Sequence, residues 1–446
     1  MTPTQLRERI ETKSARIGVV GLGYVGLAVA CKFAEAGFSV LGVELRSDKV
    51  KLISAGIFPI QGHEPDMPEL LCEVVTTQRR LVATTDARAL QEADVILIAV
   101  ETPVDVHTKA PKYEALTSAL VGVGRAMKPG ALVIVESTIA PGTMTTLVRP
   151  TLEAASGLRV DHDFYLGHCP ERVMPGRLLM NLSTQSRVCG GSNPETSQVM
   201  ACLYRCFVQA DLDQTDWVTA ELVKTTENAY RDVQIAFANE IALICEAVGA
   251  DVWRVRELVN KSQDRNMHLP GAGVGGHCIP KDSWLLEYSA NGRGRKPSLI
   301  PAARRLNDDM PYHIADLLRE ALAEQGCRLP DSRIAVLGYA YLENSDDTRN
   351  SPSQSLVDHL RTLGASVAVH DPFVEEYRGE IGDAVAGADA LVIMVRHAPY
   401  LRLDLAGLKP VMNHAVLVDG RRVFEPQQAR DAGFVFRGIG RGENAT

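Results

Sequence analysis

The segment G-A-G-V-G-G-H-C-I-P-K-D, residues 271–282, carries residue types suited to covalent chemistry. Four glycines precede His277 and Cys278. Such a run costs chain entropy and packs little core. It makes sense where backbone, Gly275 included, must approach a ligand closely. Cys278 then sits beside Lys281 and Asp282. A nearby cation favours the nucleophilic thiolate. A thiol next to a nicotinamide points to aldehyde chemistry. Attack gives a thiohemiacetal, hydride loss gives a thioester, and water releases an acid. Lys224 and Asn228 stand four apart, so a helix puts them on one face. Both could point donors at an oxyanion, with Glu221 one turn earlier. A solvated helix face is the competing reading of that spacing.

The nicotinamide itself is argued from G-L-G-Y-V-G, residues 21–26. Gly21 permits a tight turn, Gly23 lets backbone approach a pyrophosphate, and Gly26 allows close helix–strand packing. Tyr24 and Val25 open a helix whose N–H groups face the phosphates. Glu44 ends the next predicted strand, 21 residues after Gly23. Its carboxylate suits a ribose diol and repels a 2′-phosphate, which favours NAD over NADP. Arg46 offers a phosphate a partner and is counted with the cofactor contacts. Thr102, Glu136, Ser137 and Thr138 follow later strands, where further contacts belong.

These residues need a frame. Strand-like runs at 16–20, 39–43, 94–100, 131–136 and 165–168 alternate with helical patterns such as 27–36 and 49–55. That alternation predicts a parallel doubly wound sheet. One long helix is predicted from about 216 to Gly249, spanning ~45 Å, and helix resumes at 301–325. Strands return at 333–337, 366–370, 390–395 and 415–418, giving a second, smaller α/β domain. Residues 441–446 are polar and read as frayed. The 446 residues are enough for about three domains. A net charge of −8 argues against a nucleic-acid partner. No apolar run reaches the ~18 residues of a membrane span. The polar N-terminus lacks a signal-peptide core, so the expected location is cytoplasmic. Nine cysteines without a C-x-x-C pair predict neither a disulfide framework nor a zinc site, and no metal is expected.

Taken together the motifs resemble the UDP-glucose/GDP-mannose dehydrogenase family. The match runs from residue 16 to about 424. It includes G-L-G-Y-V-G-L, E-S-T-x-x-P-G-T at 136–143, P-E-R at 170–172 and the Lys224/Asn228 helix. It continues through G-G-H-C-I-P-K-D at 275–282, D-D-T-R-N-S-P at 346–352 and D-G-R at 419–421. The resemblance implies an α/β fold: two Rossmann-like doubly wound domains joined by a long central helix in an α-helical middle region. It implies an NAD-binding domain at 1–205, a helical dimerisation domain at 206–320 and a UDP-binding domain at 321–446. The partners are then a UDP-sugar and a second copy of the chain, docked through the long helix.

The implied reaction is a four-electron oxidation of a sugar C6 alcohol to a carboxylate with two NAD. By resemblance Cys278 is the nucleophile, and Lys224 and Asn228 stabilise oxyanions. Asp282 and Thr138 handle water, and Glu171 is an active-site glutamate. Arg349 and Arg421 contact the diphosphate, a task suited to bidentate guanidinium pairing. P-E-R-V-M-P-G at 170–176 and T-E-N-A-Y-R-D at 226–232 resemble the subgroup acting on UDP-N-acetylmannosamine, for surface polysaccharide. In that subgroup Arg172 and Arg231 are substrate contacts. Two positions depart from the family. Pro175 stands where UDP-glucose dehydrogenases carry a second acid, and Leu342 stands where a phosphate-binding Lys is usual. Cys169, before P-E-R, is read as packing. The alternatives are the same chemistry on UDP-N-acetylglucosamine, UDP-glucose or GDP-mannose, a two-electron hydroxyacid-type dehydrogenase, and a non-catalytic nucleotide-sugar binder.

Overall fold

The structure, a computed structural model, describes residues 1–60, 62 and 64–442. Thirteen strands form two sheets among the described residues. The chain divides into two compact units, Met1–Glu227 with Trp284–Arg295, and Asn228–Ser283 with Lys296 onward.

In the first unit the strands are β1 (Arg16–Val20), β2 (Ser39–Val43), β3 (Leu81–Thr84), β4 (Val95–Ile98), β5 (Leu132–Val135), β6 (Tyr165–His168), β7 (Arg187–Gly191) and β8 (Leu212–Asp216). Their order is β3-β2-β1-β4-β5-β6-β7-β8. Period-two side-chain alternation sorts their apolar residues onto two faces. Ile17, Val19, Val95, Leu97, Leu132 and Ile134 enter one core. Ile96, Ile98, Val133 and Val135 enter the other. Strands buried on both faces read as unbroken apolar runs, which is why the sequence betrays β1, β4 and β5. One expectation is corrected. The sheet is not wholly parallel: β6 and β7 pair antiparallel, with Gly167 opposite Gly191 and His168 opposite Gly190.

In the second unit β9 (Arg333–Leu337), β10 (Ser366–His370), β11 (Ala390–Ile393), β12 (Val416–Asp419) and β13 (Val435–Gly438) form a parallel sheet ordered β10-β9-β11-β12-β13. Again the faces separate, Ile334, Val336 and Val392 into one core and Leu337, Leu391 and Ile393 into the other. The turn after β9 is Gly338-Tyr339-Ala340, with Gly338 at φ +92°. Asp371, the first residue after β10, is buried and accepts the N–H groups of Tyr339 (2.6 Å) and Ala340 (2.9 Å).

The long helix, Trp217–Val248, stops at Gly249, whose φ of +77° only glycine adopts readily. A second long helix covers Leu299–Glu324. The tail is better anchored than its polarity implies. Arg441 pairs with Asp251 and with Glu425 (3.0 Å), and Gly442 donates its N–H to Ala250 O at 2.9 Å. The rest of the stretch read as frayed, 443–446, lies outside the described residues. No helix of the described residues is long and apolar enough to cross a membrane.

Candidate active site

In the first unit strand order reverses between β1 and β4, where doubly wound sheets open a ligand crevice at the strands' carboxyl ends. The 21–26 turn lies there. Gly21 takes φ +89°. A Cβ on Gly26 would lie 1.9 Å from Gly21 O and 3.1 Å from Ala99 Cβ. Gly26 is therefore demanded by the fold. Gly23 is not, since a Cβ there meets nothing within 4 Å. Gly23 caps the Tyr24–Glu35 helix, in which Tyr24 and Val25 are the first residues. Glu44 follows β2 and accepts the N–H of Leu22 (3.2 Å) and of Arg46 (3.1 Å). The Arg46 guanidinium is taken by Asp48 at 2.6 Å.

The strand-end residues gather beside this turn. The Thr102 hydroxyl donates to Thr138 O at 2.7 Å, and that of Ser137 to Val100 O at 2.6 Å. The Glu136 carboxylate points elsewhere. It is fully buried, accepts Arg187 Nη1 (3.0 Å) and the Tyr204 hydroxyl (2.6 Å), and burial pushes its pKa up against the pull of Arg187. Glu171 is buried and accepts the Val173 N–H at 2.6 Å. Arg172 is held by Glu227 (Nε 3.0 Å) and by Ser186 O (2.8 Å).

One residue escaped the sequence reading, and a second was noted only by its place on the helix. Glu64 accepts the Tyr24 hydroxyl and the N–H groups of Gly176 (2.7 Å) and Leu178 (3.2 Å), so it ties the glycine-turn helix to the P-E-R loop. No periodic signal surrounds it. Glu221 was visible only as a spacing. It is fully buried and accepts the N–H groups of Gly142 (2.6 Å) and Met144 (2.7 Å), and burial pushes its pKa up to about 7. Lys224 is buried as well. The solvated-face reading of this helix stretch is thereby excluded.

In the second unit Cys278, partly exposed, immediately precedes the helix Ile279–Asn291, and its carbonyl accepts Lys281 N (3.1 Å) and Asp282 N (2.9 Å). A helix N terminus is a setting that favours anionic sulfur. Asp282 is fully buried; its Oδ2 accepts Asn228 Nδ2 at 2.6 Å, and Lys281 Nζ lies 3.8 Å from its Oδ1. His277 is half-buried near Lys281 and Arg349, and desolvation first, then those cations, lower its pKa to about 4. It is a neutral imidazole at pH 7.

The glycine run has a different reason from the one its sequence offers. Its close approaches are to this chain's own side chains. A Cβ on Gly271 would meet Arg421 Nη1 at 2.4 Å, one on Gly273 would meet Pro352 Cβ at 2.9 Å, and ones on Gly275 and Gly276 would meet Tyr341 at 2.5 and 2.8 Å. Arg421 is thus seated in the loop, donating to Gly273 O and Met394 O, both at 2.9 Å. Arg349 pairs with Asp347 (Nη2–Oδ2 2.5 Å), and its carbonyl accepts Gly276 N at 2.9 Å. Cys278, Asp282, Asn228, Arg349, Arg421 and Gly275 therefore share one unit. Arg231 lies exposed on the long helix. Leu342, 38% exposed, follows Tyr341.

Comparison with known proteins gives this geometry a context. The profiles of the UDP-glucose/GDP-mannose dehydrogenase family match as NAD binding domain over residues 15–208, central domain over 218–309 and UDP binding domain over 335–426. A UDP-N-acetyl-D-mannosamine dehydrogenase of Pyrococcus horikoshii is 40% identical over 428 residues, 96% of this chain and 100% of that relative. A solved structure of UDP-D-ManNAc dehydrogenase from the same organism superposes with a TM-score of 0.90 at 40% identity, covering 97% of this chain and 100% of that one. An NDP-N-acetyl-D-galactosaminuronic acid dehydrogenase from Methanosarcina mazei Go1 superposes with a TM-score of 0.88 at 37% identity, covering 99% and 98%. The dinucleotide turn, the cysteine at its helix and the seated arginines belong to a chain matched along nearly its whole length, and that chain is a member of the UDP-glucose/GDP-mannose dehydrogenase family, NAD-dependent oxidoreductases of nucleotide sugars.

Proposed function

We propose that this protein oxidises the C6 alcohol of UDP-N-acetyl-D-mannosamine to the carboxylate, reducing two NAD per sugar and providing a uronate donor for surface polysaccharide. The observation that carries the reading is Cys278 at a helix N terminus with Asp282 held by Asn228 at 2.6 Å, in a chain 40% identical to a relative named for that sugar. The residues of the 21–26 turn suit a dinucleotide. Gly21 and Gly26 bring helix and strand together, and Gly23 leaves room above the helix N terminus. Gly21 to Gly26, Glu44, Arg46, Thr102 and Ser137 form the cofactor side, Glu44 toward the ribose, whereas the buried Glu136 carboxylate is taken by Arg187 and Tyr204 and is left out of it. When bound there, NAD supplies the hydride acceptor.

The protein's own groups do the rest. Arg349 and Arg421 pair with the diphosphate, and Arg172, Arg231 and Gly275 border the sugar. Loss of a hydride from C6 and of the hydroxyl proton to solvent turns the alcohol into the aldehyde, and Cys278 Sγ adds to that carbonyl, its proton passing to the oxygen, to form the S–C bond of a thiohemiacetal. Lys224 and Asn228 stabilise the oxyanion. Loss of hydride from C6 leaves a thioester. Water, oriented by Asp282 and Thr138 with Glu171 nearby, adds to the thioester carbonyl, and the S–C bond breaks to free the acid and the thiol. The assembly proposed is a homodimer through the long helix, supported by an exposed apolar stripe of Tyr230, Phe237, Ile244 and Val248.

The test is NADH formed per mole of limiting UDP-N-acetyl-D-mannosamine with NAD in excess. The expected value is about two, and Cys278→Ser blocks full turnover. A value near one discards the thioester scheme. Its absence moves the assignment to another nucleotide sugar, first an N-acetylgalactosamine-type one, because the Methanosarcina relative is 37% identical.

A further inference from the structure

The second unit contains a buried polar cluster that the chemistry above does not use. Asp232, Asn239, Ser283 and Arg304 are fully buried, and Asn307 nearly so. Asp232 Oδ1 accepts Arg304 Nη1 and Asn307 Nδ2, both at 2.7 Å. Asn307 Nδ2 also donates to Asp232 O at 2.9 Å, while its Oδ1 accepts Asn239 Nδ2 at 2.8 Å. Arg304 Nη2 also lies 3.1 Å from Asp308 Oδ1, and removing one partner of a buried charged pair such as Arg304–Asp232 is costly, which keeps these side chains together.

What it holds are the two ends of one segment. At the start, the Gly271 N–H donates to Asn239 Oδ1 at 2.8 Å. At the end, Ser283 Oγ donates to Asp232 Oδ2 at 3.0 Å. Between these anchors lie three more glycines, Cys278 and Asp282. A glycine-rich segment has little stiffness of its own, so its fixed ends decide where the thiol sits. Asp232 also follows Asn228 by four residues on the long helix, on the same side. One helix face therefore holds Asp282 directly and its neighbour Ser283 through Asp232.

We propose that Asp232, Asn239, Arg304 and Asn307 are positioning residues that clamp segment 271–283 at both ends and so set Cys278 relative to Asp282. This rests on the roles of Cys278 and Asp282 proposed above. The first hydride transfer needs neither group to be placed against the other; the thioester steps do.

The experiment removes one anchor at a time. Ser283→Ala frees the end, Asn239→Ala frees the start, and Ser283→Thr restores the hydroxyl. NADH formation is followed in a rapid-mixing instrument with UDP-N-acetyl-D-mannosamine, UDP affinity by calorimetry, and alkylation of Cys278 by iodoacetamide through the mass of its peptide. The expected result in Ser283→Ala, whose anchor lies away from the Arg421 seat, is unchanged UDP affinity, a preserved first NADH phase, an altered alkylation rate and a second phase slower by about 10- to 100-fold, the loss that a misplacement of about 1 Å produces; Asn239→Ala, which frees Gly271 beside Arg421, slows the second phase likewise and also weakens UDP binding. Ser283→Thr recovers the second phase. If Asn239→Ala fails to fold, Ser283→Ala and its rescue decide the matter alone. A second phase at the wild-type rate in Ser283→Ala overturns the inference, as does loss of both phases in step with loss of UDP binding in that variant. Cys278→Ser separates the two readings. Two NADH from that variant refute the role of Cys278 itself, whereas an inactive Cys278→Ser beside a fully active Ser283→Ala refutes only the clamp.

Discussion

Gly23 and Gly26 look alike in the sequence, and the structure separates them. Replacing Gly23 by Ala adds a methyl that meets no protein atom within 4 Å, at a backbone of φ −75° and ψ −164° that any residue adopts. Restricting the unfolded chain stabilises by about 0.4–1 kcal/mol. Ala is a poorer N-cap than Gly, which costs a similar amount. Stability should therefore stay within about 1 kcal/mol of the wild type. The methyl does stand where a pyrophosphate would meet the helix N terminus. Charge-assisted hydrogen bonds weakened there are worth about 1.5–3 kcal/mol, so NAD affinity should fall about 10- to 100-fold. Gly26→Ala is the contrast, because its methyl would sit 1.9 Å from a backbone oxygen. That overpacking costs about 1–3 kcal/mol or more, and stability and affinity should fall together. Calorimetric NAD titration and thermal unfolding of both variants decide it. Wild-type NAD affinity in Gly23→Ala would refute the cradle. A melting temperature lowered as far as that of Gly26→Ala would show that Gly23 serves the fold.

Arg187→Ala should destabilise by about 3–5 kcal/mol, because it leaves the Glu136 carboxylate buried without its cation; urea unfolding against the wild type checks it, and a loss no larger than that of an exposed arginine would refute it. Asp371 has its pKa lowered to about 2, since burial, which raises it, is outweighed by His397 and the Ala340 and Tyr339 N–H groups. A depressed carboxyl stabilises above its unfolded pKa and loses that contribution as pH falls through the folded value. Asp371→Asn should thus cost about 2 kcal/mol at pH 7, with the gap closing below about pH 4; equal gaps in urea at pH 7 and pH 3 would sink the argument. Glu44→Ser removes the charge facing a 2′-phosphate, and the ratio of NADP to NAD turnover should rise by about 10-fold or more, as paired steady-state assays will show.

What the sequence disclosed follows a physical line. Strands β1, β2 and β9 end where their apolar runs end, because those runs are largely buried on the two faces of their sheets. β8 was missed because its residues, L-D-Q-T-D, are largely exposed and carry no apolar signal. β7 contains two glycines, which weaken any strand signal. The site was legible where its chemistry is local, as in the glycine turn and the Cys278 segment. It was illegible where partners are distant in sequence. Glu64 meets Gly176, Asp232 meets Arg304, and Arg421 sits on Gly273, pairs that no local pattern links. The glycines of 271–276 were noticed correctly as a place of close approach, but the approaching atoms belong to Tyr341, Pro352 and Arg421.

The two sheets share a plan, yet the turn after β9 differs from the turn after β1 in ways that bear on turnover. Ala340 brings a methyl where Gly23 has a hydrogen, and Asp371 has claimed the N–H groups of Tyr339 and Ala340. A carboxylate follows the second strand in both sheets, since Glu44 likewise accepts the Leu22 N–H, so what a dinucleotide meets only at the second turn is the Ala340 methyl. In the four-electron reaction proposed above, two hydrides leave through the one dinucleotide turn found among the described residues, so the spent cofactor would be exchanged halfway through each sugar. The half-oxidised product is an aldehyde, which would diffuse away or react with amines during that exchange. In that proposed scheme the covalent sulfur bond at Cys278 would act as a leash, keeping the sugar on the protein while its redox partner is swapped.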